Sequence, residues 1–276
     1  VDNYGMVVSK GNTKLLNACN KVIERLLSTG EMDEIILSHM ELSPNKHQGT
    51  SLFDKFYNTV IYDGRYKYIL EGLEKTLIMA IGAMILGVAL GILMALIRDF
   101  HDNTSKLHLL NLLAKAYITI IRGTPSILQL MIIYYVIFKN VAVNIVLVGI
   151  LAFGINSGAY VAEIIRAGFN SVLKGQKEAG YALGLNYFQI MHYIVFPQAI
   201  KNVLPALGNE FITLVKETSV GAYIGIVELT KASDIIASRT YDYFFPLILI
   251  ALIYLIITYT LSRIVSLMEK RLYVRS

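Results

Sequence analysis

The sequence predicts an all-α integral membrane protein of about five transmembrane helices, preceded by a small α/β segment outside the membrane. Three observations carry this. Of 276 residues, 55% are hydrophobic and 16% charged, and mean hydropathy is +0.55; a soluble domain has about 25% charged residues. The apolar residues fall into runs long enough to cross a hydrocarbon core. The Lys and Arg residues sit beside those runs, so the net charge of +5 is read as orientation in a bilayer and not as a nucleic-acid surface.

Residues 1–42 read as soluble. Tyr4 to Val8 reads as a short strand, and Gly11-Asn12 as a turn and N-cap. Leu15, Leu16, Val22, Ile23, Leu26 and Leu27 then share one face of a helix that ends at Ser28-Thr29-Gly30. A second short helix is predicted over 31–40, with Met32, Ile35 and Ile36 inward. The single cysteine, Cys19, excludes an intramolecular disulfide and a multi-cysteine metal site. Residues 43–51 have linker composition, and the aromatic-rich stretch 52–68 suits the headgroup level. Trp is absent, so any interfacial belt must come from the 18 Tyr. No apolar h-region occurs within residues 1–50, the first residue is Val1, and forty residues cannot build a core for these apolar faces. The expectation is that the chain is the C-terminal part of a longer protein.

The first span is predicted over 76–97, which holds no charge and contains the GxxxG pair Gly87 and Gly91. Such a pair permits close helix contact in lipid, though the ordinary glycine content of a membrane helix accounts for it equally well. A basic stretch follows, in which residues 107–113 suggest a helix lying on the membrane surface. Arg122-Gly123-Thr124-Pro125 then leads into the second span, 126–138; Gly123 allows a bend and Pro125 is tolerated in a first helical turn. The third span, 140–162, holds Asn156 and Ser157 and is followed by Glu163 and Arg166, read as an inter-helix hydrogen bond or an i, i+3 pair. The fourth, 202–218, contains Pro205 and Glu210. Residues 221–242 read as an external helix or a re-entrant segment. The fifth span is 243–262, with a basic tail.

Between spans three and four lies the polar stretch 174–197. Residues 176–183 are helix formers, Gly184 can take a positive φ and stop that helix, and Asn186 can cap a second one. In the second helix Phe188, Met191, Ile194 and Val195 recur at helical spacing, and Pro197 ends it or marks entry into the next segment. Small Ala179, Gly180 and Ala182 would allow a partner to approach closely. Glu178-Ala179-Gly180, Gly184 and Ile194-Val195-Phe196-Pro197 resemble the "EAA" loop of ABC-importer permeases, with Gly180 for the second Ala and Phe196 for Leu. Gly180 is read as a possible loosening of the docking helix. Arg122-Gly123-Thr124-Pro125, residues 156–168 and Lys216-Glu217-Thr218-Ser219 are similar to segments of polar amino-acid permeases, and residues 1–42 resemble the C-terminal end of amino-acid solute-binding proteins.

The resemblance implies the type I importer permease fold over 72–276, a linker and juxtamembrane segment over 43–71, and a solute-binding remnant over 1–42. It implies a cytoplasmic ABC ATPase dimer docking on the loop, a second permease subunit, a solute-binding domain fused upstream, and an amino-acid substrate. Asn156, Ser157 and Glu210 become candidates for the substrate pathway. ATP would be used by the partner: no GxxxxGK[ST], HExxH or GxSxG occurs, so the chain is read as a transporter subunit, with no metal or cofactor of its own and no nucleic-acid partner. Lys and Arg concentrate in 98–122, 166–201 and the tail, which puts the loop and the C-terminus inside and the N-terminus outside. A secondary transporter or channel is the alternative, but the spans lack charged relays and inverted repeats.

Overall fold

The computed structural model describes residues 9, 11–32, 34–35 and 51–274, and the chain divides into two compact units, 1–62 and 63–276. In the first unit, α1 (Thr13–Thr29) starts where Asn12 accepts a hydrogen bond from the Leu15 amide at 3.3 Å. It stops at Gly30, whose φ of +74° is left-handed. Both signals are as the sequence predicts. Leu15, Leu16, Val22 and Leu27 are exposed along α1. A short helix, α2 (Leu52–Phe56), is capped by Ser51. The strand predicted over 4–8, residue 33 and the end of the helix predicted over 31–40, and the linker 43–50 lie outside the described residues.

The second unit opens with α3 (Tyr66–Thr104), whose 39 residues extend the predicted first span at both ends. Polar residues hold the extensions: Lys75 pairs with Glu71 at 2.6 Å, and Asn103 donates to Asp99 at 3.2 Å. Ser105 and Leu107, both at positive φ, turn the chain into α4 (His108–Arg122). α5 (Ser126–Ile132), prolonged to Ile137 by a π-helical turn, leaves α4 at a bend of 108°. The bend falls at the Gly-Thr-Pro sequence because Pro125 keeps the backbone extended (ψ 136°) and supplies no N–H to continue the helix.

α6 (Ile145–Asn170) is the most buried long helix and packs against α3, α4, α5 and a later helix, α9. The loop helices α7 (Lys174–Ala182) and α8 (Tyr187–Ile190) follow. From α8 the chain passes through a π-helical turn, Met191–Val195, directly into α9 (Phe196–Glu217). Pro197 therefore lies in the first turn of a continuing helix and does not terminate one. A 3-10 segment, Thr218–Ile224, leads to α10 (Leu229–Thr240), and α11 (Phe244–Val274) absorbs the predicted tail. Glu228, fully buried, caps α10 by accepting from the Thr230 and Lys231 amides at 2.7 Å.

α3, α6 and α11 are each long and apolar enough to cross a membrane, and the bent α4–α5 pair makes a fourth span if it is counted as one. The predicted fourth span, 202–218, is α9, which carries Lys201, Glu210, Lys216 and Glu217 and packs against α6 and α11. No strand occurs among the described residues.

Lipid offers apolar helices little hydrophobic reason to associate, so close contact depends on small residues. The seam between α3 and α6 shows this. A Cβ on Gly91 would lie 2.4 Å from a Val161 methyl, and one on Gly87 would lie 3.1 Å from Ser157. The GxxxG thus packs one helix of the chain on another. One core gathers Met79, Leu130, Phe153, Leu214 and Ile226. A second gathers Ala95, Val161, Ile165, Ile190, Val195 and Val203, and joins the loop to the bundle.

Candidate functional site

The loop 173–197 stands at one end of the bundle as two helices closed on each other. Gly184 takes φ +82°, and its amide donates to the Tyr181 carbonyl at 2.9 Å, ending the first helix. Asn186 starts the second with a reciprocal box: it accepts from the Gln189 amide at 3.0 Å while its own amide donates to Gln189 Oε1 at 2.8 Å. This is the helix, sharp turn and capped helix that the sequence predicts.

Gly180 differs from expectation. It is buried, and a Cβ there would lie 2.9 Å from Ile194 and 3.0 Å from Ile190. The missing methyl lets α7 rest on α8 and the turn that follows, so Gly180 tightens the hairpin instead of loosening it. Glu178 and Ala179 are exposed on the opposite side. Phe196 is exposed where the hairpin enters α9, and Ile194 is half-buried.

The hairpin is fixed to the end of α3. Tyr187 donates its hydroxyl to the buried Asp99 carboxylate at 2.6 Å, and its ring meets Phe100 edge-on at 5.2 Å. Burial, then the hydrogen bond to Asp99 and its negative charge, push the Tyr187 phenol far above its ordinary 10.0, so it stays a donor. Asn202 donates to Ser171 at 2.9 Å, and Gln198 to Gln176 at 2.6 Å. With its inner side so held, the hairpin turns apolar groups outward: Leu183 is 81% exposed, Leu173 73% and Phe188 70%.

Two ion pairs join α3 to α6 near this end. Arg98 pairs with Glu163, and Arg166 with Asp102 at 3.0 Å. The i, i+3 pairing of Glu163 with Arg166 does not form: each residue reaches across to α3, leaving the inter-helix reading. A cavity of about 580 Å³ opens beside the first pair, lined by Arg98, Lys115, Thr119, Arg122, Tyr160 and Glu163 among others.

Arg122, Gly123, Thr124 and Pro125 occupy the exposed α4–α5 bend. The Arg122 guanidinium lies 5.4 Å from the centre of the Tyr160 ring. Beneath the bend, Gln129 donates to the Ile121 carbonyl at 2.8 Å and to Thr124 Oγ1 at 2.7 Å, and accepts from Asn156 at 2.9 Å. The motif and Asn156 are therefore one network, and Gln129, its centre, is a residue the sequence reading passed over. It was findable: Gln129 is the lone amide in the apolar run 127–133. The reading also passed over Asp99 and Tyr187, whose partnership spans 88 positions.

Ser157, fully buried, donates to Glu210 of α9 at 2.8 Å. The three pathway candidates thus fall into two pairs, Asn156 with Gln129 and Ser157 with Glu210. Among the described residues no cluster of His, Cys, Asp or Glu could hold a metal ion.

Residues 87–274 match the family described as binding-protein-dependent transport system inner membrane component. A Rickettsia prowazekii (strain Madrid E) protein named as a glutamine transport system permease is 40% identical over 77% of this chain and 96% of its own length. The arginine transport system permease protein of Bacillus subtilis (strain 168) is 39% identical over 74% of this chain and 92% of its own. A crystal structure of an amino acid ABC transporter with histidines superposes with TM-score 0.71 at 42% identity, covering 78% of this chain and 98% of that one. A methionine ABC transporter in an inward-facing conformation shares the fold, with TM-score 0.55 at 20% identity. With the matched region taking in the bundle from Gly87 onward and the whole anchored hairpin, the chain belongs to the binding-protein-dependent transport system inner membrane components.

Proposed function

We propose that this chain is the permease subunit of an ATP-driven ABC importer that carries a polar amino acid across the cell membrane, and that the hairpin 173–197 couples it to a cytoplasmic ATPase dimer. The observation that carries the coupling role is a knob rigidly held on its inner side, through Tyr187 and Asp99, and apolar on its outer side, at Leu173, Leu183 and Phe188. Exposed apolar groups on a rigid support are what a soluble partner's groove can bury. The relatives named for glutamine and arginine transport support an amino-acid cargo. The chain itself provides the path; ATP is hydrolysed on the separate subunit.

A second permease subunit, a copy or a homologue, completes the path. The mostly exposed α11 is one surface it can cover. Of the pathway candidates Asn156, Ser157 and Glu210, the partly open Glu210 faces the route that polar cargo takes, while the buried Ser157 and Asn156 stand behind it, bonded to Glu210 and Gln129. The Lys and Arg distribution supports the hairpin and C-terminus inside and the N-terminus outside. Residues 1–42 are the end of a solute-binding domain and 43–71 its tether to the permease domain 72–276. The apolar residues exposed along the capped α1, which need a further core, support this assignment.

The test is co-purification. The chain is expressed with its ATPase, with Leu183 intact or as Leu183→Asp. The variant should insert normally, retain little ATPase and lose ATP-dependent amino-acid uptake into vesicles. Full retention and full uptake would rule out the hairpin as the docking element.

A further inference from the structure

The groove between α9 and α11 lies at the hairpin end of the bundle. The two helices touch where a Cβ on Gly208 would lie 2.5 Å from Val265. From there toward the hairpin, α9 runs back through Leu204 to Lys201 and α11 runs on through Leu267 to Leu272. Between them is a space of about 770 Å³, lined by Lys201, Leu204, Leu267, Met268, Lys270, Arg271 and Leu272. The floor is aliphatic, three cations lie at the wall, and no acid lines it. None of the three cations makes an ion pair among the described residues.

We propose that this groove holds an anionic phospholipid, its phosphate between Lys201, Lys270 and Arg271 and its acyl chains along Leu204, Leu267 and Met268. The charge of the wall selects the ligand. Zwitterionic headgroups carry a cation that three bases would repel, whereas an acidic headgroup gains from each of them. The position selects it as well. α11 is a membrane-spanning helix, mostly exposed along its apolar run, and beyond Arg263 its cations Lys270 and Arg271 come in its last turns, where hydrocarbon gives way to headgroups. Basic pockets between transmembrane helices at that depth bind acidic lipid heads. The lipid would wedge between the helix continuous with the hairpin and the last span. The inference needs only that the chain spans a membrane, and stands whatever the cargo.

The test uses the assembled transporter in bilayer discs of equal parts phosphatidylglycerol and phosphatidylcholine. After delipidation in mild detergent, retained lipid is counted by mass spectrometry. Wild type should retain phosphatidylglycerol over phosphatidylcholine. Each of K201Q, K270Q and R271Q should weaken that retention roughly five-fold, while R263Q, a change in α11 outside the groove, should leave it unchanged. Excess inorganic phosphate should not displace the lipid. Equal retention in the triple variant, or equal loss in R263Q, overturns the proposal. If the triple variant fails to assemble, a photoactivatable phosphatidylglycerol on wild type decides: label on peptides holding Lys201 and Leu267–Leu272 supports it. Label elsewhere, or a disulfide from Leu267→Cys to a second subunit filling the groove, overturns it.

Discussion

Tyr187 ties the hairpin to the bundle with one hydroxyl. In Tyr187→Phe the buried Asp99 carboxylate loses a donor at 2.6 Å and keeps, among the described residues, Asn103 at 3.2 Å. A hydrogen bond to a charged group contributes about 1.5–3 kcal/mol, so limited proteolysis should cut the hairpin of this variant faster while insertion is unchanged. The phenol's raised folded value means that its contribution is present below the ordinary 10.0 and disappears only as pH climbs through that higher value. Hairpin protection should therefore be flat from neutral to moderately alkaline pH in wild type. The two glycines of the hairpin separate by cause. Gly184 has open space around it and a left-handed φ, so Gly184→Ala costs about 1 kcal/mol through the backbone alone. Gly180 has ordinary φ and crowded isoleucines, so Gly180→Ala costs about 1–3 kcal/mol by overpacking. Only the latter should be relieved by Ile194→Val, read as the melting temperature of the purified complex.

Among elements, the α3–α6 contact is the most exacting. Gly91→Ala places a methyl 2.4 Å from Val161 and should lower stability by about 1–3 kcal/mol; Val161→Ala should relieve little of it, because the Cβ of residue 161 at 2.6 Å and the Ala162 amide nitrogen at 2.9 Å stay in the way. The two ion pairs on the same helices give a second cycle. Removing Arg98 alone strands Glu163, and removing Glu163 alone strands a largely buried guanidinium, so either single change to Gln should cost more transport than both together. These elements also show what a sequence displays. The caps Asn12, Gly30 and Asn186 and the turn at Gly184 were legible because each acts within four residues of itself. Helix lengths were less so, since polar ends such as Glu71–Lys75 and Asp99–Asn103 stay helical by local pairing and carry no apolar signal. The partners of Glu163 and Asn156, and the fit of Gly180, depend on which helices meet, and no local pattern encodes that.

For the whole molecule, orientation is the first quantity to measure. In a chain without Cys19, Leu183→Cys in the hairpin should react with a membrane-impermeant thiol reagent only after cells are opened, and Lys139→Cys should react in intact cells; the reverse pattern would invert the topology. In the same background Ser157→Cys, fully enclosed here, should react less than Glu210→Cys, which is partly open. The uninterrupted run from Tyr187 through the π-helical turn into α9 bears on how force would travel. At 1.5 Å per residue, Glu210 stands roughly 35 Å along this rod from Tyr187 at its base. A tilt of only about 5° at the base would then sweep Glu210 through an arc of about 3 Å, more than a hydrogen bond with Ser157 can follow. The rod has two yield points, the widened π turn and Pro205, which supplies no amide to the helix. Straightening Pro205 to Ala should stiffen the lever, so that ATP is still hydrolysed but the stroke and the cargo carried per ATP both change.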